Sequence, residues 1–126
     1  MFKNLILVGF GGAAGSILRY LTGYVAAKVV VSAFPVGTFV ANIVGCFIIG
    51  AVYGAVARWE WFTPEWRLLL ATGFCGGYTT FSALAYENLT LWQSGQYGLF
   101  IGYILASLVI GILAVWGGFY LIQKWS

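Results

Sequence analysis

The stretch Gly73-Phe74-Cys75-Gly76-Gly77-Tyr78-Thr79-Thr80-Phe81-Ser82-Ala83-Leu84-Ala85-Tyr86-Glu87 decides how this chain folds. It lies inside a long hydrophobic segment, yet it carries paired glycines, the hydroxyls of Thr79, Thr80 and Ser82, and an acid at its end. The surrounding chain is 62% hydrophobic and 7% charged over 126 residues, with no histidine. That composition excludes an ordinary soluble domain and reads as an all-α integral membrane protein.

A spanning helix requires about 20 predominantly apolar residues. Sparse charges and polar turns divide the chain into four such segments, approximately 4–27, 36–57, 66–92 and 98–123, which form one transmembrane domain over residues 1–126. Tyr20, Tyr24, Trp59, Trp61, Trp66, Trp92, Tyr97, Tyr120 and Trp125 fall near the proposed ends, where amphipathic rings prefer the headgroup region. Pro35 and Pro64 stand just before the second and third spans, where a missing N–H does no harm. The N-terminal run LILVGF is read as the first span and not as a secretory signal, because the chain stays hydrophobic to its end. With four spans, Lys3, Arg58, Arg67 and Lys124 share one side, while Lys28, with Arg19 nearby, lies on the other. This modest bias favours both termini in the cytoplasm and leaves insertion in two orientations open.

Several motifs fail on context. Gly9-Phe10-Gly11-Gly12-Ala13-Ala14 spells a dinucleotide fingerprint, but no acid occurs before Glu60, and that fingerprint needs a βαβ unit with an acid about 20 residues on. Gly11 and Gly15 instead form a small-xxx-small pair suited to close helix packing. Cys46 and Cys75 are isolated, without metal-ligand or disulfide-framework spacing, and read as small buried hydrophobes. Glu60, Glu65 and Glu87 are the only acids, so no acid–base pair or activated nucleophile is in view and an enzyme is not expected. The expected partners are the lipid bilayer and a small ion, with no nucleic acid.

Two readings of Gly73 to Glu87 stand side by side. Glycines and hydroxyls inside a membrane helix promote close packing and bond back to their own helix. Clustered as Gly76-Gly77 followed by Thr79, Thr80 and Ser82, they also predict a helix broken near the bilayer midplane, where irregular backbone survives only if buried in protein or lining water. Such a break offers carbonyls to a cation and N–H groups to an anion. On the second span Thr38 lies one turn from Asn42, and on the fourth Tyr103 lies one turn from Ser107. The seam is rich in N–H and O–H donors and poor in carboxylates, which suits a small anion. Glu87 is an intramembrane carboxylate, costly and commonly functional, with a place either in the ion path or in a structural hydrogen bond.

These residues resemble the Fluc (CrcB-like) family of fluoride ion channels over essentially the whole chain. The resemblance rests on Gly15-Ser16-Ile17-Leu18-Arg19, on Gly37-Thr38-Phe39-Val40-Ala41-Asn42, on Gly73 to Ser82 followed by Glu87, and on Tyr103 with Ser107. It implies an antiparallel, dual-topology dimer with two narrow fluoride pathways. It also implies a structural sodium ion at the dimer interface, held by the backbone carbonyls of Gly76 and Thr79. Asn42, Phe81, Ser82, Tyr103 and Ser107 would line or support fluoride passage, with Arg19 biasing a vestibule towards anions. Thr38, Thr80 and Glu87, read from the polar seam, complete the expected ion path. The implied role is passive fluoride export across the cytoplasmic (inner) membrane of a bacterium or archaeon, giving fluoride resistance.

Fluoride is small and strongly hydrated, so a selective path must replace its water with convergent donors, including the electropositive edge of a ring such as Phe81. The chain departs from the family where Ala83, Leu84 and Ala85 replace threonine, phenylalanine and serine, and where Gly111 replaces a hydroxyl residue. Leu84 removes an aromatic expected to pair across subunits. A homodimer is the favoured assembly, and a heterodimer with an oppositely inserted paralogue is the alternative. Two other readings are a small multidrug-resistance-type exporter that exchanges protons at Glu87, although the first span lacks the acid such exporters use, and a non-conducting structural subunit.

Overall fold

A backbone surrounded by lipid must satisfy its polar groups within the segment, and the apolar runs of this chain do so as helices. The structure, a computed structural model, describes residues 1–125. Its elements are α1 (Phe2–Val29), α2 (Val36–Arg58), α3 (Pro64–Arg67), a π-helical segment (Leu68–Cys75), α4 (Gly76–Tyr78), α5 (Phe81–Gln93) and α6 (Tyr97–Lys124). Among the described residues there is no strand. Four stretches are long and apolar enough to cross a membrane: Phe2–Val29, Val36–Arg58, Pro64–Gln93 and Tyr97–Lys124. Each runs slightly past the expected bounds. Lys28, Arg58 and Lys124 occupy last turns, where a cation meets the negative helix end and extends towards water.

The third span is interrupted near its centre, and the interruption falls two residues after the glycine pair. Gly76 keeps helical angles of φ −61° and ψ −37°, whereas Thr79 (φ −88°, ψ 157°) and Thr80 (φ −152°, ψ 122°) are extended. β-Branched threonines tolerate extended backbone well, and Thr80 doubles as N-cap of α5 by accepting the Ala83 N–H. Gly77 serves packing, because a methyl group there would collide with the Gly12 carbonyl.

Close approach is the theme of the whole bundle. α1 packs on the π segment and α4, and α2 packs on α6. A methyl at Gly11 would strike the Leu69 carbonyl, one at Gly15 the Phe74 carbonyl, one at Gly50 the Val115 carbonyl and one at Gly118 the Phe47 carbonyl. Lipid tails are as apolar as leucine, so helices associate here through backbone proximity and not through hydrophobic exclusion. Large apolar residues such as Phe10, Ile17, Leu105 and Trp116 accordingly point outward.

The N-terminus and the start of α3 lie at one end of the bundle, joined by Lys3 and Glu65 at 3.8 Å. The segments 30–35 and 94–96 lie at the other, and there Gly95 turns the chain with φ 76°, a region that favours glycine.

Replacing Gly118 with Leu is expected to lower stability by about 1–3 kcal/mol, the usual cost of overpacking. Gly102→Ala, with no atom within 4 Å of the added carbon, should leave the thermal midpoint of the detergent-purified protein in place. Equal midpoints for both variants would contradict backbone contact between α2 and α6.

Candidate functional site

The site is assembled around one amide. Asn42 on α2 accepts the Thr80 N–H at Oδ1 (2.8 Å) and donates from Nδ2 to the Thr80 carbonyl (3.1 Å). A single side chain thus pairs both polar groups of the broken residue, as a neighbouring strand would. Nδ2 has two hydrogens and spends one on Thr80, leaving the other for a ligand.

The same bonds determine which carbonyls the break releases. In an unbroken helix the Thr80 N–H would reach the Gly76 carbonyl and the Ala83 N–H would reach the Thr79 carbonyl. Here Thr80 donates to Asn42, and Ala83 donates to Thr80 Oγ1 at 3.2 Å. Arg19 Nε donates to the intervening Gly77 carbonyl at 3.1 Å, placing a guanidinium at the negative end of the first half-helix. Gly76 and Thr79 both line the groove described below. Released carbonyl oxygens are the donor type that suits a hard monovalent cation. No group of three or more His, Cys, Asp or Glu occurs among the described residues, so a cation here would depend on backbone oxygens.

Glu87 organises a second cluster. Thr38 donates to Oε2 at 2.6 Å and Tyr103 donates to Oε1 at 2.8 Å. Tyr103 is fully buried, with its ring edge-on to Phe34 at 5.2 Å.

Three concavities lie against these groups. One of about 430 Å³ beside the segment 30–35 is lined by Ser32, Thr38 and Glu87. A second of about 380 Å³ is lined by Ser16, Arg19, Thr38 and Thr80. The third, a groove of about 880 Å³, is lined by Asn42, Thr79, Thr80, Phe81, Leu84 and Ser107 among others. Thr38 borders the first two and Thr80 the last two, so neighbouring concavities share a wall residue between one end of the bundle and the helix break.

The expected site residues therefore divide. Thr38, Thr80, Asn42 and Arg19 follow the track, and Phe81 and Ser107 join it in the groove. Phe81 is 80% exposed, with its ring on the outer face of this single chain. Ser82 is exposed and its Oγ lies 3.2 Å from Thr80 Oγ1. Tyr103 sits apart from Ser107, against Glu87 and the aromatic cluster. Cys46 and Cys75 are free thiols on the groove wall, half-buried and buried respectively.

Sequence reasoning missed Asn88. This buried residue donates from Nδ2 to the Leu84 carbonyl at 3.0 Å. Its Oδ1 and the Ser107 Oγ are buried without a partner among the described residues, and both residues line the groove. A second amide inside a span, next to the lone intramembrane acid, was the available signal.

The fold and the site together define a four-span helical membrane protein whose third span is interrupted beside polar concavities. Comparison with known proteins names the family. A family model described as CrcB-like protein, Camphor Resistance (CrcB), matches residues 6–119, and the chain belongs to this family. A protein named fluoride-specific ion channel FluC from Leptospira interrogans serogroup Icterohaemorrhagiae serovar copenhageni is 48% identical over 122 residues, covering 97% of this chain and 96% of the relative. Proteins of the same name from Flavobacterium psychrophilum and Azobacteroides pseudotrichonymphae are 44% and 39% identical, covering 92% and 98% of this chain and 94% and 98% of theirs. The name these relatives carry is that of a channel and not of an enzyme.

Asn42→Ala leaves the Thr80 N–H and carbonyl without their partner and is expected to destabilise the protein by about 1–3 kcal/mol or more. Asn88→Leu removes an orphaned oxygen together with its one bond, and its effect should stay within about 1 kcal/mol. Denaturation in detergent measures both, and a larger loss for Asn88→Leu would reverse the ranking of the two amides.

Proposed function

We propose that this chain is a fluoride-selective ion channel through which fluoride leaves the cytoplasm down its gradient, protecting the cell from fluoride. The observation that carries this reading is the track itself. It runs past the Arg19 guanidinium and the Thr80 hydroxyl to the remaining Asn42 N–H, with Thr38, whose hydrogen is given to Glu87, on its wall. Fluoride gives up tightly held water only where donors converge to replace it, and the broken helix concentrates them at mid-span. Phe81, Ser82 and Ser107 continue the lining, with the Phe81 ring edge as a further electropositive contact. Tyr103 and Glu87 support it by fixing the direction of the Thr38 hydroxyl. The names of the relatives agree with this reading.

The functional unit in this reading is an antiparallel, dual-topology homodimer in a bacterial or archaeal cytoplasmic membrane. Asn42, Thr79, Thr80, Asn88 and Ser107 line a groove open to the outside of the single chain, and acyl chains cannot solvate such groups. A second copy laid across the groove would cover them and bring two Phe81 rings into the assembly. Gly76 and Thr79 carbonyls from both copies would then hold a sodium ion, whose charge would tie the half-helix ends together.

Two observations favour a second assembly. With Arg19 bound at the break, Lys3, Arg58, Arg67 and Lys124 stand at one end against Lys28 at the other. That bias favours one orientation, and Leu84 occupies the groove where the family pattern has an aromatic. Both features suit pairing with an oppositely inserted paralogue.

Fluoride efflux from liposomes containing the purified chain, followed with a fluoride electrode and compared with chloride, tests the reading. Passive, fluoride-selective efflux is expected. Asn42→Ala should reduce it about tenfold to a hundredfold, since a hydrogen bond to a charged group contributes about 1.5–3 kcal/mol, and Phe81→Ala should also reduce it. Flux that requires a proton gradient would make the protein an exporter. An inert wild-type dimer would favour the paralogue or a structural role, and unchanged flux in both variants would misplace the pathway.

A further inference from the structure

Tyr78 is the last residue of α4, immediately before the extended pair Thr79-Thr80. It is 7% exposed, and its ring stacks on Phe74 at 5.7 Å with an interplanar angle of 14°. Packing alone would be served by phenylalanine, so the hydroxyl at mid-span needs its own explanation. That hydroxyl lies 2.9 Å from Thr22 Oγ1 on α1. Thr22 carries one hydroxyl hydrogen, already donated to the Leu18 carbonyl at 2.8 Å, so Tyr78 is the donor and Thr22 the acceptor.

One turn back on the same face of α1, Arg19 holds the Gly77 carbonyl at 3.1 Å. Consecutive residues 77 and 78 are thus gripped by α1, one through its backbone and the other through its side chain. Between these grips and the break the helix closes tightly, with the Thr79 N–H and Oγ1 both donating to the Cys75 carbonyl at 2.9 Å and 2.7 Å. Beyond it, Thr80 is fixed from the opposite side by Asn42. The released Gly76 and Thr79 carbonyls therefore take their direction from two anchors, α1 before the break and α2 after it.

We infer that Tyr78 and Thr22 are positioning residues of the ion site, a latch from α1 that fixes the end of the first half-helix and through it the carbonyls and donors at the break. The inference rests on the channel reading for its transport consequence and on geometry alone for its effect on the backbone.

The latch has a distinctive mutational signature. Tyr78→Phe removes the donor and leaves Thr22 bonded to Leu18, whereas Thr22→Val strands a phenol hydroxyl in the membrane interior, the costlier defect. Thr22→Val should therefore be the more damaging change, and the double variant should recover to the level of Tyr78→Phe. Thr22→Ser, which retains the acceptor, should behave as wild type. In hydrogen–deuterium exchange of the full-length protein in lipid, Tyr78→Phe is expected to speed exchange of the amides from Thr79 to Ala83 about two- to tenfold, the equivalent of one net hydrogen bond. Peptides from α2 and α6 should keep wild-type rates.

In liposomes, fluoride flux and its ratio to chloride flux should fall in the same order across the variants, a ratio that a general loss of stability would not change. Additive effects of the two substitutions, or wild-type exchange in both single variants, would overturn the latch. Local exchange changes with an unaltered fluoride-to-chloride ratio would reduce it to a structural contact and overturn its role at the ion site. A wild-type chain that passes no fluoride would end the channel reading, while the exchange ranking would still decide the backbone contact.

Discussion

A peptide group in the middle of a bilayer has no water to fall back on, and that constraint governs the centre of this molecule. An unsatisfied N–H or carbonyl there costs several kcal/mol, so a broken helix persists only if other groups complete its hydrogen bonds. Asn42 supplies both partners of Thr80 with one side chain. The Thr80 hydroxyl then caps α5, and Arg19 covers the Gly77 carbonyl. Helical partners are also missing for the carbonyls of Gly76, Tyr78 and Thr79 and for the N–H groups of Phe81 and Ser82, and Asn42 keeps one amide hydrogen beside them. The break therefore gathers both free carbonyl oxygens and free N–H groups at one level of the bundle.

Close packing makes those bonds reachable. α1 meets the π segment with Gly11 and Gly15 against backbone carbonyls, and Gly12 lies against Gly77. Backbone contact at these points is what lets Arg19 and Thr22 reach residues 77 and 78. π-Helical turns often accompany functional sites, and here eight π-helical residues lead directly into α4. The glycines of the opening motif therefore shape the site indirectly, by bringing a neighbouring helix within hydrogen-bonding distance of it.

The four spans, the Gly11 and Gly15 face and the existence of a break were legible in the sequence, because hydrophobic length and clustered small or polar residues are local signals, whereas the Gly50 and Gly118 contacts emerged only from the packing of α2 on α6. The position of the break was less so. Glycine suggests backbone freedom, but Gly77 is consumed by contact with Gly12, and the extended conformation passes to the threonines. Thr38, Tyr103 and Glu87 were each recognisable as polar residues in apolar surroundings. Their convergence joins positions 49 and 16 residues apart, which periodicity within one helix does not encode. Arg19 read as a vestibule charge, and its bond to Gly77 emerged only from the packing of α1. Asn88 and the π segment carry no motif, and their meaning comes from burial and hydrogen bonding.

The arrangement of Glu87 suits a fixed hydrogen-bond acceptor better than an exchanging proton carrier. A carboxylate that shuttles protons against a cationic substrate needs room to change partners. Here both oxygens are engaged by hydroxyl donors from two different spans, and Tyr103 is locked against Phe34. No second acid lies within the spanning core, since Glu60 precedes the third span and Glu65 stands at its start beside Lys3. The carboxylate instead acts as an acceptor that aligns donors, holding Thr38 where two concavities meet. Both oxygens of Glu87 are thereby occupied, while the guanidinium of Arg19 and the second amide hydrogen of Asn42 stand nearer the break.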